Sequence, residues 1–291
     1  WLRTPRQTLL IGAFTAEADV MPSSNPSRMQ MSPRGCAYCG RPGEFSNDHV
    51  WPSAFLDRQG RRAAHISHQS GRAHGADYVV GDVCKICNNE GLSELDSYFC
   101  AVYDDQISPI PPTASSASLD LDPGLIGRAL LKIAFNSSRC VGRSQPALEA
   151  LAPHILRGDA PATPYAVFAE LLPESVSELD GSSLTEGTYR CVETRFPGVR
   201  DGVIATRFIQ VGRIRFHVVV GVTADPAEFE RAVSVAFDGQ PLATRIPLER
   251  QPIDLAVSAS DPLEGIGELI SRHKDSYAAF FEKRRDRGGP A

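Results

Sequence analysis

The sequence predicts an α+β protein: a small cysteine-closed β-β-α module, then a separate α+β domain with a mostly antiparallel sheet. Three observations predict it. Two Cys-x-x-Cys pairs, Cys36/Cys39 and Cys84/Cys87, bracket residues 40–83. Four β-rich segments crowd residues 165–222, the last two parted only by Gly212-Arg213. Asp-Pro pairs open two helical patterns near the end, at Asp225 and Asp261.

The elements follow in order. Residues 1–33 read as a disordered or extraneous tail; the apolar run at 9–14 is too short for a secretory signal. Residues 34–104 form the cysteine module. Its first strand is predicted at 44–50 and is ended by Trp51-Pro52, with a helical turn at 53–57. A second strand is predicted at 77–83, where the chain reads DYVVGDV. A helix then starts at Cys87 and carries Leu92, Leu95, Tyr98 and Phe99 on one face. Residues 105–123 are rich in Pro and Ser and read as a linker.

Residues 124–291 are predicted to form the second domain. Helices are expected at 124–140 and 146–157, the second with proline in its first turn. Strands are expected at 165–171, 188–194, 203–211 and 214–222, with a tight hairpin at Gly212-Arg213. A helix at 225–237, a short strand at 242–247 and a long amphipathic helix at 261–287 complete it. No internal repeat and no phosphate-cradling glycine loop is present.

With 42% hydrophobic and 22% charged residues the chain has the profile of a globular protein, and no stretch nears the ~20 apolar residues of a membrane helix. A net charge of −5 excludes general attraction to nucleic acid, yet the charge is uneven. Arg34, Arg41, Arg58, Arg61, Arg62 and Arg72 face only Glu44, Asp48 and Asp57 over the same stretch. A locally basic module can still meet a phosphate backbone. Seven cysteines are too few for a disulfide framework, and their odd number favours a reducing compartment, the cytoplasm.

The paired cysteines carry the clearest chemistry. Each pair can give two thiolates to one ion, and two pairs complete a closed tetrahedral site, so Cys36, Cys39, Cys84 and Cys87 are expected to hold a structural Zn2+. Gly40 lets the chain turn away behind the first pair. Such a site contributes on the order of 10 kcal/mol to folding, enough to organise a short module with a thin core. Cys100, Cys140 and Cys191 read as ordinary buried thiols.

Between and beside the pairs stand Asp48-His49-Val50-Trp51-Pro52 and Cys84-x-x-Cys87-Asn88-Asn89. With Cys36-x-x-Cys39, this order resembles the zinc-containing branch of the His-Asn-His (HNH, His-Me finger) endonucleases, over about 65 residues. The resemblance implies a zinc-stabilised ββα-metal fold. It implies that His49 is the general base. It further implies that Asp48 and Asn88 hold one catalytic divalent ion, Mg2+ or Mn2+, beside a scissile phosphate of DNA, with RNA or branched DNA as further substrates. The family's middle Asn falls here on Val79, and Glu90-Gly91 replaces a common Gly-Trp.

The chemistry suits those residue types. Phosphodiester cleavage builds negative charge that a hard, oxygen-liganded cation neutralises, and neutral imidazole can take a proton from water. Adjacent strand residues point to opposite faces, so Asp48 and His49 can share a metal only if the strand carries a bulge. His65, His68 and His74 read first as part of an Arg/His-rich surface loop. Two other functions compete with the nuclease: a non-catalytic zinc-stabilised nucleic-acid-binding module, and a reused HNH fold acting on a small substrate. The sequence leaves a homodimer open.

Overall fold

The computed structural model describes residues 35–59, 78–140, 145–176 and 188–262, less 195, 197, 201, 224 and 239–242. It adds 183, 185 and the backbone of three short strands at 11–14, 64–67 and 73–74. The helix expected at 261–287 and the side chains of His65, His68 and His74 lie outside the described residues.

The chain begins with strand β1 (Ile11–Phe14) and continues with β2 (Phe45–His49), helix α1 (Ser53–Arg58), β3 (Ala64–Ser67), β4 (Ala73–His74) and β5 (Val79–Cys84). One long helical run follows. It comprises α2 (Lys85–Cys87), a π-helical turn (Asn88–Leu92), α3 (Ser93–Val102) and a second π-helical turn (Tyr103–Ile107). The expected linker contains β6 (Ser116–Leu119) and leads into α4 (Pro123–Cys140). Helices α5 (Pro146–Ala150) and α6 (Ala152–Arg157) come next, so the single helix expected at 146–157 is broken at Leu151, just ahead of Pro153.

Strands β7 (Tyr165–Leu171), β8 (Tyr189–Thr194), β9 (Ile204–Val211) and β10 (Ile214–Gly221) lie close to their expected spans. Helix α7 (Pro226–Phe237), β11 (Thr244–Arg245) and β12 (Ile253–Ala256) close the described chain. The fold is mixed α and β with mainly antiparallel pairing. The five-stranded sheet runs β11-β7-β10-β9-β8, each neighbour antiparallel. Val211 pairs with Ile214, so Gly212-Arg213 is a two-residue hairpin loop, and Gly212 takes φ 56° as that turn demands. Asp225 caps α7 by accepting the Ala227 N–H at 2.9 Å, with Pro226 in the first turn. Among the described residues no helix is long and apolar enough to cross a membrane.

Strand β6 lies where Pro and Ser predicted only a linker. It forms a two-stranded ribbon with β12, which needs no central sheet position and so tolerates that composition. The cysteine module and the sheet also share one apolar cluster, running from Cys36 and Tyr38 through α4 to Leu255. Trp51, from the Asp-His-Val-Trp-Pro stretch, stacks on Phe55 at 5.5 Å and meets Tyr189 of β8 edge-on at 5.2 Å. Helix α4, almost wholly buried, therefore has the module on one side and the sheet on the other.

The sheet holds one buried charged group whose loss has a predictable consequence. Glu170 of β7 is 1% exposed, faces Arg215 across the ladder, and bonds to His217 at 3.1 Å and to the Ser260 hydroxyl at 2.9 Å. Burial raises its carboxyl, but the hydrogen bonds and charges of His217, Arg215 and Ser260 outweigh burial and bring it to about 2. An unfolded glutamate titrates near 4.3, so this group adds on the order of 3 kcal/mol at neutral pH, lost as pH falls from about 5 to about 2. Glu170→Gln is expected to flatten that part of the stability profile, as read by urea unfolding across the acid range. An unchanged slope would remove Glu170 from the account.

Candidate metal centre and the adjoining polar cluster

The first cysteine pair sits in a tight knuckle. The Gly40 N–H donates to Cys36 O at 2.8 Å, the Cys36 N–H to Arg41 O at 2.9 Å, and Gly40 takes φ 71°. The Ala37 N–H donates to Asp82 O at 3.0 Å and ties the knuckle to β5. Cys84 ends β5 and Cys87 lies in α2. The four Sγ atoms all lie within 4.8 Å of one another, and Cys39 and Cys84 are 3.9 Å apart. Four sulfurs around one tetrahedral ion stand about 3.8 Å apart, given metal–sulfur bonds of about 2.3 Å. The cluster can therefore hold a metal ion.

Two further details suit anionic sulfur. The Cys84 N–H points at Cys36 Sγ at 3.4 Å. Burial opposes ionisation of Cys39, yet hydrogen bonds from Arg41 and the neighbouring thiols bring it down to about 6. Cys87 is pushed upward, first by burial and then by the sulfurs around it. Four uncompensated thiolates repel one another; a cation at their centre is what lets all four ionise.

Beside this centre β2 and β5 form an antiparallel pair with a bulge. Ser46 pairs with Val83 but Asp48 with Val80, so Gly81 and Asp82 together oppose the single residue Asn47. The extra residue thus lies on β5. Asp48 and His49 themselves pair regularly with Val80 and Val79, and their side chains alternate across the strand.

Asn88 opens the π-helical turn immediately after Cys87. Its Nδ2 donates to Ser46 Oγ at 3.0 Å and to Asn47 O at 3.1 Å. Both amide hydrogens are thereby used on β2, which leaves Oδ1 for other chemistry. The structure brings Asn88 to the strand one residue before Asp48, and it gives the Asp48 carboxylate to α4. Asp48 is 2% exposed. Its Oδ1 lies 3.0 Å from Lys132 Nζ and its Oδ2 accepts from Asn136 Nδ2 at 2.7 Å.

Lys132, 1% exposed, also donates to both oxygens of Asp96 on α3, at 2.6 and 2.7 Å. Burial opposes the lysine charge, but Asp96 and Asp48 outweigh it and hold the ammonium above its ordinary value. Asp96 moves upward too, because burial exceeds the help from Lys132 and Asp48 adds repulsion, while the charge of half-buried His49 acts to lower it. One ammonium shared by two carboxylates satisfies itself without fully satisfying both.

Asp96 reaches the surface in a cleft of about 530 Å3 between α1 and α3, lined also by Ser53, Ser97, Asp104, Asp105 and Arg58. Arg58 is paired there with Asp104 at 2.7 Å. The cleft is acidic, and His49 is not among its lining residues.

Sequence reasoning singled out the four cysteines, Asp48, His49 and Asn88, and did not name Tyr38, Asp96, Lys132 and Asn136, which the fold gathers around Asp48. A signal for the last two existed. They stand one helical turn apart among the buried apolar residues of α4, where a lysine and an asparagine require partners. No protein-family model, no curated protein and no solved structure matches the chain.

Proposed function

We propose that the four cysteines hold zinc and that the module they clamp is an HNH-type endonuclease hydrolysing phosphodiester bonds of DNA. One observation carries the reading. Asn88, the first residue after the last cysteine, is hydrogen-bonded to β2 at the residues just before Asp48-His49. Residues separated by about forty positions thus meet beside the metal centre, in the order the resemblance implies. A π-turn starting at Asn88 adds support, since such turns recur at functional sites.

In this reading His49 takes the proton of the attacking water. A divalent ion, Mg2+ or Mn2+, would be held by Asn88 Oδ1 and Asp48 and would neutralise charge on the phosphoryl and leaving oxygens. Asp48 keeps acceptor capacity for that role, because each of its oxygens accepts one hydrogen bond and has two lone pairs. Asn88 fixes the strand against the helix. The test is plasmid nicking with Mg2+ or Mn2+ by the full chain and by His49→Ala. The variant should lose at least ~100-fold in rate, and equal nicking by both proteins would end the proposal.

Two observations favour the non-catalytic alternative: Asp48 is buried and already neutralised by Lys132, and it alternates with His49 across a regularly paired stretch of β2. That reading predicts salt-dependent binding of a duplex with no cleavage under either ion.

A further inference from the structure

We infer that helix α4, which lies outside the cysteine module, supplies the positioning residues of this site: Asn136 first, supported by Lys132. The inference rests on the nuclease reading for its kinetic consequence, and on geometry alone for the contact network.

Asn136 is fully buried and its amide has only one workable orientation. Arg139 Nη1 donates to its Oδ1 at 3.0 Å, and a guanidinium can only donate. The Tyr38 hydroxyl donates to the same oxygen at 2.8 Å. Nδ2 must then face the acceptors opposite, and it does: Asp48 Oδ2 at 2.7 Å and His49 O at 3.3 Å. One side chain therefore holds both the carboxylate of Asp48 and the backbone of His49. Tyr38 lies within the first cysteine knuckle, between Cys36 and Cys39, so its side chain and two hydrogen bonds through Asn136 link the knuckle to the His49 carbonyl.

Lys132 lies one turn earlier on the same helix face and fixes the other Asp48 oxygen. Stability alone does not call for such a pair. Burying charges costs several kcal/mol per ion, and well-packed apolar residues of similar size are often neutral or better. A helix that turns two inward polar side chains, Lys132 and Asn136, toward Asp48 and the His49 backbone is specifying their orientation. The module is thus incomplete without α4.

The experiment uses the full chain with Asn136→Leu, which removes the amide at similar volume, and Tyr38→Phe, which removes one of the two donors that orient it. Zinc content and thermal midpoint establish that each variant is folded. With a duplex substrate and Mg2+, Asn136→Leu should lower kcat by about 10- to 100-fold, as a misplaced catalytic group does, with KM within about twofold. Tyr38→Phe should give a smaller loss in the same direction. A folded Asn136→Leu with wild-type kcat overturns the inference.

Histidine-selective NMR separates this from the nuclease reading. The ring resonances of His49 should move in both variants while those of His154 and His217 stay in place. If the wild type cleaves nothing, the reaction falls and the positioning is judged on those resonances. Unmoved His49 resonances overturn it. If Asn136→Leu does not fold, Tyr38→Phe decides by the same readouts.

Discussion

Cys84→Ser is expected to abolish high-affinity metal binding and to melt the junction between β5 and the helix that follows it. Cys84 is placed where the loss is greatest. It ends β5, pairs with Phe45 of β2, and leads directly into α2. Removing its thiolate leaves three ligands and an open position, which in a structural site is a defect. Metal binding of this kind contributes on the order of 10 kcal/mol to folding, more than a typical domain's whole margin of stability. Metal analysis of the purified chain should find one equivalent in the wild type and none retained in the variant. Amide exchange at residues 79–92 should rise sharply in parallel. A variant with the same metal content and the same exchange would show that the cysteines are only neighbours.

The second large effect belongs to Lys132. Lys132→Met is expected to destabilise the protein by about 3–5 kcal/mol, because it leaves the buried Asp48 and the half-buried Asp96 beside each other with no cation. The same principle makes a sharper claim. Adding Asp48→Asn and Asp96→Asn to Lys132→Met removes the uncompensated charge, and the triple variant should recover most of that loss. Urea unfolding of the three proteins measures both steps. If the single variant is as stable as the wild type, the ion pair is not what holds α4 against β2. If the triple variant is worse still, packing rather than charge dominates there.

What could be read from the sequence was whatever depends on local spacing. The cysteine pairs and the hairpin at Gly212-Arg213 were visible, because a knuckle, a turn and a strand period each declare themselves within a few residues. A shared metal called for a bulge in β2 at Asp48 and His49, but the bulge's extra residue lies on the opposite strand, β5. Gly81 in the middle of a β-rich run was the available sign.

The polar cluster was not legible for a different reason. Asn136 and Asp48 are 88 positions apart, and Tyr38 and Asn136 are 98 apart. The apolar period of α4 shows that the helix is buried, but not which face meets β2 and which meets the sheet. Lys132 and Asn136 gain meaning only once that docking is known. The expected separation into module and second domain has the same origin. A Pro- and Ser-rich stretch marks a boundary along the chain, whereas the shared packing of Trp51, Tyr189 and α4 is a property of the folded state.

The central claim is that four thiolates hold one ion between the Cys36–Cys39 knuckle, the end of β5 and α2. Zinc-edge X-ray absorption on the purified full chain tests it most directly. The account predicts four sulfur neighbours at about 2.3 Å and no nitrogen or oxygen in the inner shell. A shell with fewer than four sulfurs, or with no bound zinc to measure, would contradict it.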